Sequence, residues 1–292
     1  MKNLSLLTFI LTLFLVACGG NDENTEASKI QEELKKDLEM QEESGLSEDE
    51  EEEFDFVMPS ALQITSIFSR HGAEFNKEYT NNLTNVNNYL SKESKLLNLG
   101  VYASDLCYCV LNNQSQLSIE FLKAVKKISE DVGMAAIFNS GPIFERFESN
   151  IGNRDSIIYI MADLQEQTDL YVKRSDQEHL AMMIFAGAWA EGMYIGLQDA
   201  KNLESGDEIV PRVVEQMTLL GNLIKGLELQ PSQSEELEKF RSKYVDLKAY
   251  FENIEGVDLE TFEYDLSKIT DEHLNTIKAK VGEIRSEIVK VN

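Results

Sequence analysis

The stretch LAMMIFAGAWAEGMYIGL, from Leu180 to Leu197, decides the fold of this 292-residue chain. It predicts a helix that is apolar on nearly every side, and such a helix is normally buried by its neighbours. The stretch LLNLGVYASDLCYCVL, from Leu96 to Leu111, predicts a second helix of this kind, and SIIYIMADL, from Ser156 to Leu164, predicts a third. We therefore expect an all-α fold, a single multi-helix bundle with two to three central buried helices.

Glycines mark the first of these helices as a place of close contact. Gly187, Gly192 and Gly196 lie among alanines in AGAWAEGMYIG. Each glycine costs about 1 kcal/mol relative to alanine in a helix interior. We expect that neighbouring helices approach this one closely enough to offset the cost.

Three later segments carry apolar residues at alternating steps of three and four, which predicts helices with one buried stripe. Their spacing favours long antiparallel C-terminal helices that pack at about 20°. The stripes are Val210, Val213, Met217, Leu220, Ile224 and Leu227; Leu237, Phe240, Tyr244, Leu247, Phe251 and Ile254; and Leu274, Ile277, Val281, Ile284, Ile288 and Val291.

Helix starts are predicted where a capping residue precedes such a segment. A hydroxyl followed three residues later by Glu or Gln is typical of a capping box, and Asn or Thr also caps helices well. The predicted pairs are Ser60–Gln63, Ser175–Glu178, Ser205–Glu208 and Ser232–Glu235, and the predicted single caps are Asn153 and Thr270.

The N-terminus has the features of an export signal. After Lys2, the residues from Leu4 to Ala17 are mostly apolar, and this run of 14 residues is short for a membrane span, which needs about 20. The sequence LVAC, ending at Cys18, resembles the lipobox of bacterial lipoproteins. We expect a lipoprotein signal peptide over residues 1–17 and lipidation of Cys18. The alternative is an ordinary cleaved signal peptide followed by an incidental cysteine.

The next segment is strongly acidic. From Gly19 to Phe56 there are 16 acidic and 3 basic residues, so this run repels itself and buries little apolar surface. We expect an acidic disordered tether over residues 18–57 and a helical domain over residues 58–292. The tether is either a spacer or, as an alternative, a signal for surface export. The overall charge of −25 argues against nucleic acid as a partner and against contact with an anionic lipid surface, leaving the lipid anchor as the link to the membrane.

Motifs for catalysis are absent from the sequence. It contains no G-x-S-x-G, no S-x-x-K, no glycine-rich phosphate loop and no H-E-x-x-H, and its three histidines are scattered. We expect no enzyme, no cofactor and no metal site. Cys107 and Cys109 lie two apart on a predicted helix, point away from each other and are expected to be buried thiols without a disulfide.

Three acidic residues interrupt the apolar stretches. Glu191 is the only charged residue between Ala181 and Leu197, Asp105 is the only one between Leu96 and Leu111, and Asp163 interrupts the third run. A buried carboxylate is costly unless it is paired or hydrogen-bonded. One interpretation is a packing network, with partners among Tyr102, Tyr108, Tyr159, Trp189, Tyr194 and Arg154. The other is a site for a cation or an amine, with ligand-binding candidates Asp105, Glu191, Tyr102, Tyr108, Trp189 and Tyr194.

If these acids meet in a dry core, at least one is expected to be protonated near neutral pH. On the packing interpretation, Glu191→Gln is expected to be tolerated or stabilising, because the amide keeps the shape and removes the charge. On the site interpretation, the same change removes ligand binding.

Four stretches, MPSALQITSIFSRHG, LLNLGVYASDLCY, NIGNRDSI and AGAWAEGMYIG, resemble a family of helical lipoproteins of Bacteroidetes-type bacteria. The resemblance extends from Pro59 to Gly196 and is looser beyond. It implies an exported, lipidated, helical protein and implies no activity. Ser104 stands where the family usually has alanine. The matching residues are Gly100, Val101, Tyr102, Asp105, Leu106, Tyr108, Asn150, Asn153, Asp155, Ser156, Trp189, Glu191, Gly192 and Tyr194.

Together these features favour an exported, lipid-anchored protein of the cell envelope, at the periplasmic or surface side of the outer membrane. We expect a non-catalytic interaction or scaffold component, with an envelope protein as a candidate partner. Such a protein is expected to expose an apolar face on one of the striped C-terminal helices. The alternative is a lipoprotein that binds a small ligand or cation through a buried Asp/Glu/Tyr cluster.

Deleting residues 21–56 is expected to leave the melting temperature of the helical domain within about 5 °C of the full-length value, because a solvated acidic segment makes few buried contacts. Thermal unfolding of both purified chains, followed by circular dichroism, checks this. A larger decrease would show that the segment packs on the helical domain.

Overall fold

Helices contain most of the residues that the structure, a computed structural model, describes: 61–68, 75–139, 142–175, 178–199, 209–231, 233–259, 261 and 263–291. The predicted all-α fold is confirmed. The predicted signal peptide, Cys18, the tether and the capping residues Ser60 and Ser205 lie outside the described residues.

The first half of the described chain contains six α-helices. Two short 3-10 helices, Lys77–Tyr79 and Leu83–Asn87, lie between the first and the second. The α-helices are α1 (Ala61–Phe68), α2 (Lys92–Leu111), α3 (Ser115–Asp131), α4 (Ala136–Asn139), α5 (Ile143–Ser149) and α6 (Arg154–Arg174).

The second half contains five α-helices and a small hairpin. The helices are α7 (Glu178–Asp199), α8 (Ile209–Thr218), α9 (Leu220–Glu228), α10 (Glu235–Glu252) and α11 (Asp271–Ile288). The hairpin strands β1 (Val257–Asp258) and β2 (Glu263–Tyr264) pair antiparallel, with Val257 opposite Tyr264, and a 3-10 turn, Leu266–Lys268, follows. The hairpin lies in the connection between α10 and α11, where Ile269 is buried.

Helices α2 and α7 form a central pair whose backbones touch. A Cβ added to Gly187 would lie 1.8 Å from the carbonyl oxygen of Leu97, and one added to Gly100 would lie 1.9 Å from that of Ile184. The hydroxyl of Ser104 donates a hydrogen bond of 3.0 Å to the carbonyl oxygen of Ala188. The close helix contact predicted from the glycines is therefore confirmed at Gly187.

Apolar side chains pack on both sides of the central pair. One cluster joins α2 to α3–α6, and the other joins the pair to α1 and α8–α11. By length and composition α7 could cross a membrane, since its window His179–Gln198 has a mean hydropathy of 1.4, but 83% of that window is buried inside the protein. The two central helices predicted from Leu96–Leu111 and Leu180–Leu197 are thus confirmed.

The third predicted central helix, α6, is not central. Only one face of it is buried, and Tyr159 is 53% exposed. Its buried residues recur at the helical period and so lie on one face of the helix instead of on all sides. Helix α6 lies at the edge of the bundle against α4, α5 and α7. Asp163 is half-exposed and pairs with Arg146, so the expectation that it is a buried core acid is wrong.

The three predicted C-terminal stripes are buried, with two departures. The first stripe spans two helices, because the chain turns at Leu219 between α8 and α9. Val291 is 39% exposed because α11 ends at Ile288. Cys107 and Cys109 are buried free thiols, as predicted.

Two predicted caps are confirmed and two are corrected. Asn153 and Thr270 accept hydrogen bonds from the backbone N–H groups three residues ahead. Ser175 ends α6 instead of starting a helix, since its hydroxyl donates to the Tyr171 carbonyl oxygen. Helix α10 begins at Glu235 with Ser234 as its cap, so its start is later than the capping pair Ser232–Glu235 predicts; Ser232 itself lies outside the described residues.

Gly187→Ala is expected to lower the free energy of unfolding by about 2 kcal/mol, because the new methyl group would overlap the backbone of α2. Gly282→Ala in α11 is the matched control, since a Cβ there meets nothing within 4 Å, and is expected to stabilise by about 1 kcal/mol. Urea unfolding measures both. Equal effects would show that α2 and α7 do not touch at Gly187.

Candidate functional site

Asp105 on α2 and Glu191 on α7 meet in the core of the bundle. Both side chains have no solvent exposure. The central helix pair brings them together: Ser104 bonds to Ala188 across the pair, Asp105 follows Ser104, and Glu191 lies almost one turn after Ala188. The contact between two apolar helices therefore places two carboxyl groups side by side.

Arg285 on α11 neutralises one of these carboxyl groups. Its Nε donates to Oε2 of Glu191 at 2.9 Å and its Nη2 donates to Oε1 at 3.1 Å. This is a bidentate pair, the strongest common geometry for a guanidinium and a carboxylate. The Tyr194 ring packs over the guanidinium, with its centroid 4.7 Å from Cζ. We call Asp105, Glu191 and Arg285 the buried triad.

The other carboxyl group favours its protonated form. Asp105 and Glu191 are both fully buried and repel each other when both are ionised, and the single guanidinium beside them binds Glu191. Oδ2 of Asp105 already accepts from the backbone N–H of Asn81 at 3.0 Å. Oδ1 has no hydrogen-bond partner among the described residues, so no bond stabilises a negative charge on it. With Arg285 on Glu191, the proton belongs to Asp105.

The electrostatics agree with this assignment. Burial, followed by repulsion from Glu191, raises the pKa of Asp105 well above its ordinary range, against the opposing Asn81 N–H and Arg285. Burial also raises the pKa of Glu191, but the charge and the hydrogen bonds of Arg285 oppose that rise. Burial lowers the pKa of Arg285, and the carboxylate of Glu191 more than offsets it. The triad is therefore neutral overall.

A short segment covers the triad. We call residues 75–90 the strap. Arg285 Nη2 lies 3.5 Å from the carbonyl oxygen of Tyr79, and the Tyr102 hydroxyl donates to the carbonyl oxygen of Asn82 at 2.8 Å. With the bond from the Asn81 N–H to Asp105, polar groups of α2 and α11 bond to positions 79, 81 and 82 of the strap.

Asn81 extends this network. Its Nδ2 donates to the Tyr89 hydroxyl at 2.9 Å and to Oδ1 of Asn98 at 3.3 Å. Asn98 in turn donates to the carbonyl oxygen of Ile288 at 2.7 Å, near the end of α11. The strap, α2 and the end of α11 are thus joined by hydrogen bonds in the core.

The structure brings together four of the six predicted ligand-binding residues, namely Asp105, Glu191, Tyr102 and Tyr194. The other two lie elsewhere. Tyr108 packs against Phe75, and Trp189 packs against Tyr244 with ring centroids 5.9 Å apart.

Sequence reasoning missed Arg285. It named Arg154 and Tyr159 as partners, but both are exposed on α6. Arg285 lies four residues after Val281 and three before Ile288, so it continues the 4-3 spacing of the buried stripe on α11. That spacing is the feature from which a buried arginine could have been predicted.

The described residues contain no group of three His, Cys, Asp or Glu side chains that could hold a metal ion. Comparisons of the chain with models of known protein families, with curated proteins and with solved structures found no match. The resemblance to the lipoprotein family stays a prediction from the quoted motifs.

Arg285→Met is expected to lower the free energy of unfolding by about 3–5 kcal/mol, because it leaves the buried Glu191 without its cation. Arg241→Met is the matched control. Arg241 pairs with Glu228 and Glu238, which are 49% and 55% exposed, so its loss is expected to cost less than about 1 kcal/mol. Urea unfolding of both variants at neutral pH makes the comparison. Similar costs would mean that the triad is solvated.

The ion pair also changes the expectation for Glu191. Glu191→Gln leaves Arg285 buried without a carboxylate, so we now expect it to destabilise by about 3 kcal/mol. Asp105→Asn keeps the shape and neutrality of the protonated acid, and its amide can still donate to Glu191. We expect Asp105→Asn to cost less than about 1 kcal/mol at neutral pH. Urea unfolding measures both changes. A larger loss of unfolding free energy in Asp105→Asn than in Glu191→Gln would place the proton on Glu191.

Proposed function

We propose that this chain is an exported, lipid-anchored protein of the cell envelope, anchored through Cys18 in the outer membrane, with a non-catalytic role as an interaction or scaffold component. One observation supports a non-catalytic role: both carboxyl groups of the buried triad are already neutralised within the protein. Its carboxyl groups bind a guanidinium and a proton that the protein itself supplies.

The geometry of the triad suits a structural role. Glu191, Arg285 and Asp105 join three helices, α7, α11 and α2, and hold the strap in addition. Breaking such a network leaves a charge in the core, so it fixes one arrangement of the helices. A rigid domain of this kind, lifted from the membrane by an acidic tether, is suited to present its surface to a partner.

The surface available for that partner is charged. The expected apolar face on a C-terminal helix is not found among the described residues. On α10, Val245 at 42% exposure is accompanied by exposed Lys239, Asp246 and Glu252. Residues 58–292 carry 36 acidic and 23 basic side chains, which favours a partner with a basic surface.

The alternative function, binding of a small cation or amine by Asp105 and Glu191, requires Arg285 to leave Glu191. A cationic ligand would have to replace a bidentate pair and also displace the strap. No described contact favours this displacement, so cation binding is treated as an outcome of the test below.

Cys18→Ser is expected to move the protein from the membrane fraction to a soluble or uncleaved form, because serine offers no thiol for lipidation. Fractionation and labelling with a fatty acid compare it with the wild type. Asn21→Ser, next to the same site, is a control expected to behave as the wild type. Labelling of the serine variant would overturn the proposed anchor.

The interaction role is tested by crosslinking the wild-type protein in intact envelopes and identifying its partners after detergent extraction. We expect a discrete protein partner that the Cys18→Ser variant fails to reach. Native mass spectrometry of the same sample is the second measurement. A small bound cation that is lost in Asp105→Asn would instead favour the alternative function.

A further inference from the structure

The strap is the weakest part of the cover over the buried triad. Neither of its two 3-10 helices contains a buried residue. Of its side chains, only Asn81 and Tyr89 are fully buried, and Phe75, Leu83 and Val86 pack half-buried against the cluster of α2–α6. Segments with few buried apolar contacts open at the lowest free energy. The strap contacts the triad itself only through hydrogen bonds.

We propose that a proton on Asp105, beside the Glu191–Arg285 pair, keeps the strap closed, and that loss of this proton opens the strap and exposes the carboxyl pair to water. This goes beyond the proposed function and does not depend on it.

The charge balance of the triad gives the reason. With the proton in place, one guanidinium faces one carboxylate and the buried charge is zero. Without it, two carboxylates face a single guanidinium, and a net negative charge lies in a dry core, at a cost that burial makes large. Water reduces that cost, and the strap is the part of the cover that can move to admit it.

The surrounding groups do not supply a compensating charge. The charged and titratable groups that act on Asp105, or on which it acts, are Glu191 from α7, Arg285 from α11, and Tyr102, Cys107 and Cys109 from α2. From the strap, the Asn81 N–H favours the ionised form of Asp105 as a neutral donor, and Tyr89 bonds to the Asn81 side chain. Burial raises the pKa of each of these two tyrosines and two cysteines, so they stay neutral when Asp105 loses its proton. Arg285 is the one cation in this set, and Glu191 already binds it.

The central helix pair is expected to stay closed while the strap opens. Helices α2 and α7 touch through their backbones at Gly100 and Gly187 and carry apolar clusters on both sides. The strap instead contacts the triad through single polar bonds, from the Asn81 N–H to Asp105 and from Arg285 to Tyr79. Proton loss therefore acts first on residues 75–90.

The sign of the pH dependence follows from the raised pKa of Asp105. The folded protein holds this proton more tightly than the unfolded chain. The stabilisation is fully present below the ordinary carboxyl pKa and is lost as the pH rises through the raised value. The strap is thus closed on the acidic side and open on the alkaline side.

Hydrogen exchange of the full-length protein tests the proposal. Between about pH 6 and about pH 9, after correction for the intrinsic exchange rates, protection of peptides from residues 75–90 is expected to fall at least about tenfold in the wild type. In Asp105→Asn it is expected to stay constant, because the amide has no proton to lose. Peptides from α3 are the internal control. A parallel loss in wild type and Asp105→Asn would overturn the proposal.

A second measurement does not depend on a variant. With ¹³C-labelled aspartate carboxyl groups, NMR of the wild type is expected to show one carboxyl group still protonated at neutral pH. Its titration midpoint is expected to coincide with the opening of the strap. Ionisation of every aspartate at neutral pH, or opening that does not follow this titration, would overturn the proposal.

Discussion

The backbones of α2 and α7 touch at Gly100 and Gly187, and the placement of Asp105 beside Glu191 depends on that contact. A side chain at either glycine would separate the helices by the width of a methyl group. Asp105 and Glu191 would then move apart, and Ser104 would lose its bond to Ala188. The cost of glycine in a helix is offset here by packing and by the polar network that the close approach permits.

The triad shows how a core can hold two acids with a single arginine. Arginine suits this position because its planar fork binds both oxygens of Glu191 while Nη2 reaches toward the carbonyl oxygen of Tyr79. A second buried cation beside Asp105 would carry its own desolvation cost. A proton neutralises the second acid without that cost. The arrangement therefore depends on water being kept out, which is the part that the strap plays.

The sequence predicted the architecture well because helix periodicity and burial are local properties. The apolar stretches at Leu96–Leu111 and Leu180–Leu197, the striped C-terminal helices and the caps Asn153 and Thr270 were all predicted correctly. The buried acids were found for the same reason, since a charge in an apolar run is visible locally. Their partner was not, because Arg285 lies 94 residues from Glu191, and only tertiary packing decides which helices meet. Likewise, the run Ser156–Leu164 predicts a central helix, but a short apolar run does not show how many neighbours surround it.

Acidic residues have opposite environments in the two parts of this chain. The 16 acidic residues between Gly19 and Phe56 are expected to be solvated. Solvated carboxyl groups titrate around their ordinary pKa of about 4. Asp105 is held neutral by burial and titrates at a raised pKa. Acidification is therefore expected to protonate the acids of the tether while Asp105 keeps its proton. A rise in pH through the raised pKa of Asp105 removes that proton and leaves the carboxylates of the tether ionised. The two parts of the chain are thus expected to respond to pH in separate ranges, and the proposed opening of the strap originates in the helical domain rather than in the tether.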